Sequence, residues 1–142
     1  MKIEATKDFK RPRTAVLTNF GNPERIETVL KELGATVQRT SEPPAMAWSC
    51  SLVWRDEPRK FVVTAQETAA DETVCMKLVS DLATAEMTLD FYDLEDNGCR
   101  VIAATELTAR TMMAKLALQS LRLVRGKAEE RLTRFITAIG RK

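Results

Sequence analysis

Apolar and polar residues alternate through the middle of the chain. From Met46 to Arg55, Met46, Trp48, Cys50, Leu52 and Trp54 fall on one side, and Ala47, Ser49, Ser51, Val53 and Arg55 on the other. That two-residue period is the mark of a half-buried strand. Strand patterns recur over Lys60–Thr68, Thr73–Ser80, Ala85–Leu94 and Cys99–Thr108. Polar turns separate them at Asp56-Glu57-Pro58-Arg59, Ala70-Asp71-Glu72, Asp81-Leu82-Ala83-Thr84 and Asp96-Asn97-Gly98. The Asn-Gly pair suits the positive φ angles of a type I′ hairpin. Ile3–Phe9 and Ala35–Thr40 add weaker strands, so about six to seven strands form an antiparallel meander with one wet face.

Elsewhere the period lengthens. Thr14–Phe20 has room for a short helix carrying Val16, Leu17 and Phe20. Asn22-Pro23-Glu24 is a helix start, with an Asn N-cap, Pro at the first helical position and an acid in the first turn. Ile26, Val29, Leu30 and Leu33 make the buried face of that helix, and Gly34 ends it. From Arg110 to Lys142, the residues Met113, Leu116, Ala117, the small polar Ser120, Leu121, Val124, Ala128, Leu132, Phe135 and Ile139 recur at spacings of mainly three and four. The spacing predicts one amphipathic helix on the order of 50 Å long. Following antiparallel strands, it must lie across the sheet to bury its stripe. The expected class is α+β, a curved sheet gripping a helix, in a single domain over residues 1–142.

Composition narrows the chemistry. The chain is 44% apolar and 30% charged, as ordinary globular proteins are. Its first residues carry acids and no apolar run, so no secretory signal is expected, and no stretch approaches the length of a transmembrane segment. Cys50, Cys75 and Cys99 are odd in number and far apart, which reads as free thiols in a reducing, cytoplasmic setting. With no histidine, Ser-His-Asp triads, Cys-His pairs and His-ligated metal sites are excluded. No metal and no cofactor is expected. Acid–base work would fall to carboxylates such as Glu67 and Glu106, to Lys, to Cys or to the single tyrosine, Tyr92. Cys50 and Cys99 have no base nearby in the pattern to make either a nucleophile. Charge is uneven: residues 110–142 hold nine Lys/Arg against two acids, a net +7, while the rest of the chain is acidic. A solvated basic helix face accounts for this, with Arg122, Arg125, Arg131 and Arg134 pairing with Glu129, Glu130 or sheet acids. A contact surface for an anionic partner is the sharper alternative.

The order of strand, two short helices, a run of strands and a final helix resembles the helix-grip fold of the START-like superfamily (SRPBCC, including polyketide cyclase/dehydrase and lipid-transport proteins). Locally, Met46-Ala47-Trp48, Arg59-Lys60-Phe61-Val62-Val63-Thr64 and Leu118–Lys127 carry the likeness, to bacterial members without an assigned activity. The resemblance spans essentially the whole chain and rests on fold order, not on a catalytic motif. It implies a pocket between the concave sheet face and the C-terminal helix, where members hold lipids, sterols, quinones, polyketides or plant hormones. On this chain its lining would be Trp48, Cys50, Leu52, Trp54, Phe61, Val63, Met76, Leu78, Met87, Leu89, Phe91 and Ala103. Met113, Leu116, Ala117, Ser120 and Leu121 would form the helix wall. Bulges change strand parity, so Val62 and Thr64 stand as alternatives to Phe61 and Val63. Core packing alone also calls for such residues.

The function expected is non-catalytic binding or transport of a small hydrophobic ligand, oriented by Ser120, Thr105 or a Glu at the mouth. Two alternatives are a cyclase or aromatase-type enzyme, and an interaction protein that uses the basic helix face. Few aromatics accompany the basic residues, which argues against nucleic acid as the partner.

Overall fold

A computed structural model describes all 142 residues. The chain runs β1 (Lys2–Phe9), α1 (Arg13–Phe20), α2 (Pro23–Glu32), β2 (Thr36–Ser41), β3 (Met46–Trp54), β4 (Glu57–Ala69), β5 (Thr73–Ser80), β6 (Ala83–Leu94), β7 (Gly98–Ala109), α3 (Met112–Leu123) and α4 (Arg125–Gly140). The seven strands form one antiparallel sheet in the order β1-β7-β6-β5-β4-β3-β2. After the helices, every strand pairs with its sequence neighbour, and β7 closes back onto β1. This is the α+β helix-grip architecture expected from the sequence.

Local chemistry explains the short elements. Asn22 caps α2 by accepting a hydrogen bond from the Glu24 amide at 3.0 Å, and Pro23 occupies the first turn. Gly34 follows α2 with φ +98°, a backbone state that favours glycine. The turn before β7 differs from the two-residue Asn-Gly turn expected, because Leu94 pairs with Gly98 across a three-residue loop. The positive φ angles fall on Asp96 and Asn97 at 61° and 62°, residues whose short polar side chains tolerate that state, while Gly98 is extended. The β3–β4 turn is tighter than the sequence suggests. Arg55 and Asp56 alone make it, both at positive φ, so β4 begins at Glu57, with Pro58 opposite Val53. Leu33, expected on the buried face of α2, is exposed at its end.

The C-terminal segment differs from the single helix predicted. Val124, at φ −122° and ψ 37°, leaves the helical region and divides it into α3 and α4. A β-branched residue two positions before Gly126 is a weak point for a helix. Each half also has its own substrate: α4 packs on β1, α1 and α2, whereas α3 makes a few contacts with β7. The end of α4 is held firmly. Arg11 Nη1 donates to the Gly140 carbonyl at 2.7 Å, Asn19 Nδ2 to the Arg141 carbonyl at 2.9 Å, and Arg25 Nη1 to the Ile139 carbonyl at 3.2 Å. Two cations at a helix C-terminus complement its dipole as well as its free carbonyls.

Candidate functional site

The inner face of the sheet is set by strand pairing. Trp48 lies opposite Val63, Val63 opposite Leu78, Leu78 opposite Ala85 and Ala85 opposite Leu107, all in one row across five strands. The next row is Met46, Ala65, Met76, Met87, Thr105 and Ile3. Phe61, Val63 and Ala65 are buried while Val62 is exposed, so β4 turns Phe61 and Val63 inward, and Val62 outward.

Burial along this face is graded. At one end Phe91, Val101, Leu89, Ala103 and Cys99 are fully enclosed by α1, α4 and their neighbours. Phe91 meets Phe20 edge-on, with ring centroids 5.3 Å apart. Trp48 is likewise enclosed and donates its indole N–H to Glu27 on α2. At the other end the same face stays half open. Leu52, Trp54, Leu78, Ala83, Ala85, Leu107 and Ala109 are only partly buried, with α3 packed at the β7 side. The residues α3 turns toward the sheet are Ala114, which is buried, and Leu118 and Leu121, which are half-buried. Met113 is half-buried, and its Sδ accepts a long hydrogen bond from Arg55 at 3.9 Å.

Of the lining expected from the sequence, Trp48, Cys50, Phe61, Val63, Met76, Met87, Leu89, Phe91 and Ala103 are therefore buried core on the inner face. Leu52, Trp54, Leu78 and Met113 line the open end. Leu116, Ala117 and Ser120 are exposed, so of the expected helix wall Met113 and Leu121 stay half-buried, and Ala114 and Leu118 join them in place of the other three. The parity of a helix stripe shifts once the helix breaks, and α3 is apolar on two sides, which hid this from the sequence.

Polar chemistry around the open end is sparse. The Thr105 hydroxyl is buried with no hydrogen-bond partner in the chain, as is Arg59 Nε. Arg59 shares the inner parity of β4 with Phe61, and its Nη2 pairs with Glu57 at 2.9 Å. The Arg55 and Arg59 guanidinium groups lie 4.9 and 5.7 Å from the Trp54 ring centroid. Glu67 and Glu106 are exposed, Glu106 forming an ion pair with the N-terminal ammonium at 3.3 Å. Burial pushes the thiols of Cys50, Cys75 and Cys99 up, away from the reactive thiolate. Tyr92 is exposed on the outer face. No cluster of His, Cys, Asp and Glu is placed to hold a metal ion, and no helix is long and apolar enough to cross a membrane.

The well-formed surface clefts lie away from α3. One, of about 260 Å³, is bounded by Leu17, Phe20, Pro43, Pro44, Met46 and Val74, with Glu67 at its rim. Another, of about 590 Å³, is an outer groove between α2 and α4 lined by Val29, Leu33, Leu132 and Phe135. The open end of the sheet is a half-buried apolar shelf, with α3 against β7 on one side and its Met113 reached by Arg55 from the β3–β4 turn.

No family model matches the chain, and no curated protein matches it in sequence. Solved structures do match it in fold. TTHA0849 from Thermus thermophilus superposes with a TM-score of 0.72 at 17% identity, over 99% of this chain and 94% of that one. Truncated norcoclaurine synthase from Thalictrum flavum gives 0.69 at 10% identity, over 99% and 91%. The Zhui aromatase/cyclase from Streptomyces sp. R1128 gives 0.67 at 7% identity, over 96% and 90%. Coverage near completion on both sides places the whole chain in the helix-grip fold. Identities this low carry the fold and nothing finer.

Proposed function

We propose that this protein reversibly binds a small hydrophobic molecule on the apolar shelf between the sheet and α3, without covalent chemistry. The burial gradient carries this reading. One end of the inner face is packed to completion, while the other leaves Leu52, Trp54, Leu78 and Leu107 half open beside a helix that itself offers Leu118 and Leu121. Apolar surface left in this state gains free energy when a guest covers it, at about 25 cal/mol per Å². Ala83, Ala85 and Ala109 keep the floor of the shelf low. Thr105 and Arg59 supply the polar atoms without partners that could orient a guest. Similar folds in an aromatase/cyclase and in norcoclaurine synthase, the latter solved in complex with dopamine and hydroxybenzaldehyde, support a small-molecule reading. A cyclase-type reaction has less support here: the carboxylate at the rim of the shelf, Glu57, is exposed and paired with Arg59 at 2.9 Å, and the single tyrosine lies on the outer face.

Native mass spectrometry of the protein from a bacterial host, set against its denatured mass, tests the reading. The expected result is a non-covalent adduct, or one formed after lipids and quinones are offered. Trp54 fluorescence should respond to the same molecules, and Trp54→Phe should silence that response while the enclosed Trp48 contributes little. A clean apo mass under every condition would overturn the proposal.

A further inference from the structure

The helix α3 is apolar on two opposite sides. Ala114, Leu118 and Leu121 face the sheet, yet Met112, Leu116 and Leu123 are 70%, 58% and 87% exposed. At 100° per residue these three fall within an arc of about 40°, roughly half a turn from the sheet-facing side. Lone exposed apolar residues need no explanation, but three in a ridge along one helix do. Gln119 falls between Leu116 and Leu123, Lys115 and Arg122 border the ridge along one side, and Arg110, Arg125 and Lys127 lie just beyond its ends. Residues 110–128 hold five Lys/Arg and no Asp or Glu, the first acids being Glu129 and Glu130 on α4.

We infer that α3 is a docking element for an anionic lipid surface. An apolar ridge fringed by long cationic side chains, on a helix that shares little contact with its own domain, matches an interfacial helix that lies in the headgroup region. Charge chooses among occupants. A second copy of the chain would bring two faces of the same sign together, whereas an anionic bilayer meets Lys115, Arg122 and Lys127, which have no acid partner in the chain. Arg125 already pairs with Glu129 at 3.5 Å, and Arg110 donates to the Ser80 carbonyl. The shelf lies beside α3, so docking brings it to the bilayer edge, where hydrophobic molecules are dissolved. The inference goes beyond the ligand reading and does not depend on it.

Flotation with phosphatidylcholine vesicles, with and without phosphatidylglycerol, tests it. The full chain should float with the anionic vesicles, much less with the zwitterionic ones, and should be released as salt is raised. The double substitution Leu116→Ser, Leu123→Ser should weaken binding about tenfold or more, because it removes apolar contact only. Lys115→Glu, Arg122→Glu should abolish the preference for anionic vesicles. Both pairs are surface changes expected to leave the fold intact, and Val62→Ser, Val79→Ser on the outer sheet face is the control that should leave binding unchanged. Absence of flotation, or equal loss in the control, overturns the inference. So does a dimer in sedimentation that Leu116→Ser, Leu123→Ser dissociates, since a second copy would then cover the ridge. Flotation without any bound small molecule would leave docking standing while the ligand reading falls, and a ligand bound without flotation would do the reverse.

Discussion

The indole Nε1 of Trp48 donates a hydrogen bond to Glu27 Oε2 at 2.8 Å, tying the centre of the sheet to α2. Arg39 on β2 completes the arrangement by donating to both oxygens of the same carboxylate, at 2.6 and 3.0 Å. Trp48 is fully enclosed, so its N–H has no water to turn to. Replacing Glu27 with Ala orphans that donor, and a buried unpaired donor costs about 1–3 kcal/mol. Glu27→Gln, which keeps an acceptor for the indole, should lose less. Urea midpoints for the two variants will rank them, and equal losses would show that Trp48 is indifferent to the bond.

The same carboxyl sets the acid limit of the fold. The Arg39 guanidinium, followed by the Trp48 indole against an opposing cost of burial, holds Glu27 below its ordinary 4.5. Arg100, directly opposite Asp8 across β1 and β7, holds Asp8 below its ordinary 3.8. Both groups bind protons more readily in the unfolded chain than in the folded one. Their contribution is therefore complete above those ordinary values and is lost as pH falls through them toward the lower folded ones. Denaturation midpoints should be flat from neutral pH down to the carboxylate range and then drop. Glu27→Gln should lower the plateau and make the drop shallower.

At the far end of the core, Gly140 touches the Phe9 ring so closely that an added Cβ would stand 2.5 Å from its Cζ. Gly140→Ala must displace a buried aromatic ring, which costs about 1–3 kcal/mol. Phe9→Leu should itself destabilise, but the double variant should cost less than the two singles together, because the clash and the lost ring share one space. Strict additivity in thermal or urea unfolding would mean that the ring yields freely.

Much of this was legible along the chain, for reasons particular residues show. Strand β3 pairs with β4 without a bulge, and the register shift against β2 falls on the β2 side, between Arg39 and Ser41, so Met46, Trp48 and Cys50 keep the parity of their alternation. The Phe61 or Val62 ambiguity disappears once Trp48 is seen opposite Val63, a pairing that no single strand encodes. The break at Val124 was hidden because Leu121, Val124 and Ala128 continue the three–four spacing across it. Leu116, Ala117 and Ser120 were misplaced because α3 has two apolar sides, and periodicity does not say which side meets the sheet. The Glu27 bond to Trp48 joins residues 21 apart that no motif links.

Thiol reactivity should follow burial. Cys50 and Cys99 are enclosed, whereas Cys75 is half-buried, and burial raises all three thiols. In the native protein, iodoacetamide should label Cys75 first and the other two slowly. Denaturant should bring the three rates together. Rapid native labelling of Cys50 or Cys99 at neutral pH would mark an activated thiol and reopen a catalytic reading.

The difference between the filled and the open end of the inner face can be measured with two alanines. Ala103, between Leu89 and Ala5 in the pairing, is wholly enclosed, while Ala85, between Leu78 and Leu107, is only partly buried. Forcing a larger side chain into closed packing costs about 1–3 kcal/mol, because neighbours leave their rotamers or the backbone moves. Ala103→Leu should therefore lower the urea midpoint markedly. Ala85→Leu has a shelf to grow into and should change stability little, while occupying the surface on which a ligand would rest. Loss of ligand binding in Ala85→Leu with stability retained would locate the site beside α3. Equal destabilisation by both would mean that the shelf is packed as tightly as the core, and the ligand reading would not survive it.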